Sequence, residues 1–265
     1  MLPLGPNGNF QEAFNVAIEE PRLIDIAFLY QQSQPTFCLL FEDNLMGRHF
    51  KTYSIDTREK IISNGSWQQN HVEFSARMLI PVNDAAGGVL VVGQSTITYY
   101  CNGPNTHSIG MDHKFITAFS PLDTKGERYL LGDKNGVLSV LILLRNEVSG
   151  AKSGDVSGLV LEELGVTSIA ERICYIENGV VFIGSCFGDS QLVKLLSNDT
   201  SSNSNVESNQ LVEVLETYDN IGPIIDMCVV PSERHNQSQV VTCSGAYKDG
   251  SLRVIKSGIG IREQV

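Results

Sequence analysis

Apolar residues gather along this chain into short runs divided by polar turns, and five of the runs open a repeating pattern. They are Leu23 to Leu29, Ala76 to Val82, Ile116 to Leu122, Ala170 to Ile176 and Ile224 to Val230, with starts 53, 40, 54 and 54 residues apart. A second run follows each: Thr36 to Asp43, Val89 to Gly93, Tyr129 to Asp133, Val181 to Ser185 and Val240 to Gly245. All but the first of these close on glycine with a small or acidic neighbour. A third run follows over Phe50 to Ile55, Thr96 to Tyr100, Val137 to Leu144, Gln191 to Leu196 and Leu252 to Ile255. Two units show a fourth, Leu159 to Leu164 and Val212 to Tyr218.

Most runs hold five to eight residues rich in Val, Ile, Leu, Phe and Tyr and bounded by Gly, Asn or Asp, which reads as strand rather than helix. The turn signals Lys134-Asn135-Gly136, Phe187-Gly188-Asp189 and Lys248-Asp249-Gly250 suit hairpins joining second strands to third ones. Four antiparallel strands recurring at this spacing predict an all-β protein, a β-propeller of about five four-stranded blades. A β-sandwich with evenly spaced strands is the competing arrangement, and five similar units argue against it. Small residues after the second strands fit a crowded region near a central channel. Ala13 to Ile18 resembles the outer strand of a preceding blade, and the last unit stops after its third strand, near Ile255. The chain therefore reads as part of a longer propeller, its terminal blades presenting open edges. Three segments interrupt the pattern, 145–158, 197–210 and 231–239, and are expected to be mobile loop insertions, the second being too polar to bury apolar surface.

Composition agrees with a folded domain: 42% hydrophobic and 18% charged residues among 265. Lys and Arg number 19 against 30 Asp and Glu, a net charge of −11, which opposes direct binding to a polyanion. No signal peptide is visible at the N-terminus and no apolar stretch approaches the length of a membrane span. The six cysteines, at 38, 101, 174, 186, 228 and 243, fall mostly in strand-like runs and are expected to be buried free thiols.

Catalytic chemistry finds no footing in the spacing. Histidines at 49, 71, 107, 113 and 235 are scattered, the pair 107 and 113 lies in a loop-like region, and no C-x-x-C pair exists, so no metal or cofactor is expected. Gly258-Ile259-Gly260-Ile261 lacks the third glycine of a dinucleotide fingerprint. Asp133 and Asp189 recur beside glycine in hairpins, where Asp bonds its own backbone. Tyr175, Phe187, Tyr218 and Tyr247 stand at strand ends or turns. Several of them on one rim would form a protein-binding surface.

Longer motifs narrow this reading. Gly47-Arg48-His49-Phe50-Lys51-Thr52-Tyr53, Gly188-Asp189-Ser190-Gln191-Leu192-Val193-Lys194-Leu195 and Thr242-Cys243-Ser244-Gly245-Ala246 resemble the damaged-DNA-binding adaptors of cullin 4 ubiquitin ligases, in the later part of their first propeller. The likeness covers nearly the whole chain, so residues 1–265 would be a partial first propeller within an incomplete seven-bladed ring. It implies a non-catalytic scaffold in DNA repair and ubiquitination, in the nucleus and also the cytoplasm. The implied partners are helical segments of substrate receptors, the remaining propellers of the full-length protein, and DNA only through a receptor. No membrane partner is implied. The related splicing and polyadenylation subunits offer the alternative of a nucleic-acid-binding propeller. Carried over by motif, the partner-binding residues would be Tyr175, Asn178, Phe187, Pro223, Ile224, Ile225, Ala246 and Tyr247. Phe187 and Tyr247 stand where the family usually has Leu and Phe, and Cys186 where a basic residue is expected.

Overall fold

The computed structural model describes residues 1–5, 7–83, 87–103, 106–145, 156–196, 210–231 and 238–256. Most of the three expected insertions, with His235 and the 258–261 segment, lies outside these residues. Among the described residues there are five antiparallel sheets, each a meander in which every strand pairs with its neighbour in sequence. The first holds β1 (Leu23–Phe28), β2 (Thr36–Glu42), β3 (Arg48–Asp56) and β4 (Ile61–Val72). The second holds β5 (Met78–Pro81), β6 (Val89–Val92), β7 (Thr96–Tyr100) and β8 (His107–Gly110). The third is β9 (Ile116–Pro121), β10 (Arg128–Asp133), β11 (Val137–Arg145) and β12 (Val156–Val166). The fourth is β13 (Arg172–Glu177), β14 (Val180–Gly184), β15 (Ser190–Leu195) and β16 (Val212–Tyr218). The fifth has three described strands, β17 (Ile224–Pro231), β18 (Ser238–Ser244) and β19 (Ser251–Ile255). This meander is the blade of a β-propeller, and five blades fall short of a seven-bladed ring.

Two compact units divide the chain: 1–116 with 121–129 and 141–161, and 117–120 with 130–140 and 162–265. The third sheet contributes to both. In the first unit the period of two along β2 sorts its side chains. Cys38 and Leu40 join Phe50, Leu79, Val89 and Val91 in one core, while Phe37 and Leu39 join Tyr53 and Ile55 in another. A second strand buried on both faces explains why the second runs are unbroken apolar sequence rather than alternating. The rings of Phe37 and Tyr53 stack at 5.4 Å, and Phe50 meets Trp67 edge-on at 5.3 Å.

Several expectations change. Ala13 to Ile18 is not a strand. It has no ladder partner among the described residues; instead Phe14 and Ile18 cover the Phe37 cluster, and the Phe14 amide donates to the Met1 carbonyl. Glu20, just beyond, accepts from Lys51 Nζ at 2.7 Å and from the Tyr53 hydroxyl. All six cysteines are free, but only Cys38 is buried; Cys174, Cys186, Cys228 and Cys243 are exposed. In the fifth sheet this follows from both faces of β17 lying open, with Met227 66% exposed on one face and Val230 44% on the other. His107 opens β8 instead of lying in a loop. His49 and His71 come together, rings 4.9 Å apart, with His49 Nε2 3.0 Å from Asp43.

Each hairpin from second to third strand needs an acceptor for its turn amides, and the blades supply it differently. Asp43 accepts from Leu45 and Gly47, and Asp133 from Asn135 and Val137, all at 2.7–2.9 Å. In the second blade Gly93 takes the aspartate's place, and Glu73, arriving from the end of β4, accepts the amides of Gln94, Ser95 and Thr96 at 2.9–3.0 Å. A side chain at position 93 would occupy the space of that carboxylate.

Candidate protein-interaction surface

In the second unit, the β10–β11, β14–β15 and β18–β19 turns and the segments that lead into β13 and β17 emerge at one end of their sheets. The reason is topological: in a meander, second-to-third hairpins and fourth-to-first connections share an end. Contacts tie these loops together. The Ala246 amide donates to the Phe187 carbonyl at 2.8 Å and the Gly245 amide to the Pro223 carbonyl at 2.9 Å. The Phe187 and Tyr247 rings meet edge-on with centroids 5.2 Å apart, an arrangement that the ring quadrupoles favour. Lys134 Nζ lies 4.3 Å from the Tyr247 ring centroid. Lys248 Nζ reaches the Thr167 carbonyl at 2.5 Å, and Asp249 accepts the Ile169 amide at 2.8 Å.

Tyr247 begins a three-residue 3₁₀ turn, Tyr247–Asp249, with φ of +56°, and its ring is 63% exposed. Gly245 precedes it at φ +78°, where a Cβ would lie 2.5 Å from the Asp249 carbonyl oxygen and 2.6 Å from that of Phe187. Only glycine lets these three segments approach so closely.

An ion pair anchors the patch from the side. Arg253 Nη2 lies 2.7 Å from both carboxylate oxygens of Asp189, which also accepts the Asn220 amide at 2.8 Å. Asn220 in turn donates from its side chain to the Ser185 and Gly188 carbonyls and accepts the Gly222 amide, so one network positions the Phe187 and Pro223 loops. Burial pushes the Asp189 carboxyl up, but the hydrogen bonds from Arg253 and the Asn220 amide outweigh it and hold the group below its ordinary range. Asp189 thus works across blades. The sequence reading had it bonding its own hairpin, a role that Ser185 takes by accepting from Phe187 and Gly188.

Of the eight residues named from sequence, four gather here: Phe187, Pro223, Ala246 and Tyr247. Ile224 and Ile225 follow directly at the start of β17, and both are exposed. Tyr175 and Asn178 do not join them. They lie at the β13–β14 hairpin, the opposite end of β14 from Phe187, because Tyr175 pairs with Val181 and Arg172 with Gly184. There Asn178 and Gly179, both at positive φ, make the two-residue turn, and the Gly179 amide donates to the Tyr175 hydroxyl at 3.3 Å. Lys134, Lys248 and the Asp189–Arg253 pair belong to the surface and were overlooked. The signal for the lysines was present, since all three hairpin motifs occupy equivalent positions in their blades. Among the described residues no group of three His, Cys, Asp or Glu could hold a metal. An exposed Tyr247 ring packed on a half-buried Phe187, a proline and two cations make a surface suited to recognition.

A family model described as the RSE1/DDB1/CPSF1 first beta-propeller matches residues 6–219. DNA damage-binding protein 1 of Oryza sativa subsp. japonica is 47% identical over all of this chain. The protein of that name from Solanum lycopersicum is 46% identical and DNA damage-binding protein 1b of Arabidopsis thaliana 44% identical, again over the whole chain. The chain spans 23% of the length of each of these relatives.

Proposed function

Because the chain belongs to the RSE1/DDB1/CPSF1 first-propeller family, we propose that it is a non-catalytic interaction platform whose Phe187–Tyr247 surface receives a helical segment of a substrate receptor of cullin 4 ligases. Residues 1–265 then make up part of a first propeller, and the remaining propellers of the full-length protein complete the receptor cleft and hold the cullin. The protein acts in DNA repair and ubiquitination, in the nucleus and also the cytoplasm, and reaches DNA through its receptor. The observation that carries this reading is the convergence of Phe187, Pro223, Ala246 and Tyr247 on one end of two adjacent sheets. An amphipathic helix is recognised by such an apolar, aromatic patch, with its i, i+3 and i+4 side chains as anchors. The net charge of −11 favours contact with a protein over direct contact with a polyanion.

The test places Tyr247→Asp and Ala246→Glu in the full-length protein and measures receptor binding by co-purification and titration. Both positions should weaken it about tenfold or more, as central interface residues do. Unchanged binding with an intact fold would remove this surface from the reading. High-affinity duplex binding by this chain alone, falling steeply with salt, would favour the nucleic-acid alternative.

A further inference from the structure

The first unit carries a second apolar surface, which shares no residue with the receptor site. Leu45 and Met46 form the apex of the β2–β3 hairpin and are 90% and 70% exposed. The turn beneath them is rigid, since Asp43 accepts the amides of both Leu45 and Gly47. Met46 sits at φ +64°, a conformation that Asn or Gly adopts at lower cost. Two large apolar side chains there serve neither the turn nor a core. Phe74 is similar, 79% exposed on a segment pinned on both sides. Its neighbour Glu73 is locked into the β6–β7 turn, and Ala76 is fully buried.

Met46 and Phe74 flank a cavity of about 460 Å³ whose walls also include Glu42, Arg48, Arg77 and Phe115. That volume falls in the range of small binding sites, about 300–1,000 Å³. The Arg77 guanidinium lies 3.6 Å over the Phe115 ring centroid. Arg48 donates to Glu42 and to the Ala76 carbonyl, and Arg22 takes the other oxygen of Glu42. Arg48 and Arg77 thus line the cavity together with Glu42, whose two carboxylate oxygens each take one arginine. The nearby carboxylates of Asp43 and Glu73 are turned into their hairpins.

We propose that this cavity is a docking site for a short peptide segment of another protein, with an apolar side chain seated between Met46 and Phe74 and an adjacent carboxylate facing Arg48 and Arg77. The apolar clamp supplies the anchor, and the cationic rim on an otherwise acidic chain supplies the choice of partner.

A phage library of random peptides panned against the whole chain tests this, with the enriched peptides then synthesised and titrated by fluorescence anisotropy. Enrichment of sequences pairing a large apolar residue with Asp or Glu is expected. Their affinity should fall about tenfold in Phe74→Ser and in Met46→Gly, and similarly when the peptide's acid becomes Lys. Both side chains are exposed and glycine suits the backbone at position 46, so these variants should unfold at the same urea concentration as the parent. Tyr247→Asp should leave binding unchanged, which separates this site from the receptor surface. No enriched peptide sensitive to Phe74 and Met46, or equal binding with Lys beside the anchor, would overturn the proposal.

Discussion

Arg253→Met removes the guanidinium that joins β19 to Asp189 while keeping most of the apolar stem. Exposed ion pairs contribute about 0–1 kcal/mol, and breaking a fully buried one costs about 3–5 kcal/mol. Arg253 and Asp189 lie between these limits, with side chains 24% and 22% exposed and two contacts of 2.7 Å. Hydrogen bonds to charged groups contribute about 1.5–3 kcal/mol, so the expected loss at neutral pH is about 2 kcal/mol. The carboxyl retains the Asn220 amide as a partner, which keeps the loss from reaching the buried limit. The pH dependence has a definite sign. Asp189 is held below its ordinary range, so its contribution is fully present above the unfolded value of about 3.9 and disappears as pH falls through the lower folded value. Urea unfolding of parent and variant at several pH values tests this, with hydrogen exchange read on peptides spanning residues 219–223. The difference should be constant near neutrality, shrink below about pH 4, and come with faster exchange in that loop. A loss under about 0.5 kcal/mol, the range of ordinary surface substitutions, would refute the network as the anchor of the site. So would a difference that persists unchanged in acid.

Glu73→Gln should destabilise the chain by about 2–3 kcal/mol in urea unfolding, because an amide nitrogen would then face backbone N–H donors that a carboxylate now satisfies. Burial raises the Glu73 carboxyl, but the Ser75 and Thr96 hydroxyls and the turn amides lower it further, so this contribution too is present above the unfolded value of about 4.3 and lost in acid. Gly245→Ala should cost more than the roughly 1 kcal/mol of a left-handed non-glycine residue, since its Cβ meets two carbonyl oxygens. It should also weaken receptor binding in the full-length protein by displacing Tyr247. With a thiol reagent at neutral pH, Cys174, Cys228 and Cys243 should react rapidly, whereas Cys38 should react only on unfolding, its thiol buried and pushed far above the ordinary range by that burial.

How much of this was legible depended on how unbroken the apolar run of each strand is. The runs beginning at 23, 116 and 224 open at the observed boundaries, and those at 76 and 170 begin two residues before β5 and β13. The second strands β2, β6 and β10 are covered on both faces, so their sequence is forced to be apolar. The outer strands β4 and β8 were invisible. β4, Ile-Ile-Ser-Asn-Gly-Ser-Trp-Gln-Gln-Asn-His-Val, pairs with β3 through two register shifts that break the alternation, and most of its side chains are solvated. β8 has four residues and one large apolar side chain. Glycine at the end of the second strands was attributed to crowding near a channel, and the contacts are more specific. At Gly93 the crowding atom belongs to Glu73, and at Gly132 it is the Ala170 methyl. Neither neighbour adjoins its glycine in sequence, so periodicity carried no trace of them.

The division of the eight candidate residues has a different origin, because the information needed was already in the strand order. Consecutive hairpins of a meander lie at alternate ends of the sheet, so a residue between first and second strands cannot share a face with one between second and third. Tyr175 and Asn178 belong to the first kind of hairpin, and Phe187 and Tyr247 to the second. From Val181, opposite Tyr175, to Gly184 the strand advances about 10 Å, at roughly 3.3 Å per residue, before the Phe187 loop begins. One receptor helix lying across the Phe187 end would miss the Asn178 turn unless it ran down the side of the blade. The two groups therefore make separable predictions. Tyr247→Asp should abolish docking at the loop end, while Tyr175→Ala should leave that docking intact and cost at most the packing of its own hairpin, where the hydroxyl accepts the Gly179 amide. Equal loss of receptor binding from both substitutions, with unchanged stability, would mean that the partner wraps from one end of the sheet to the other.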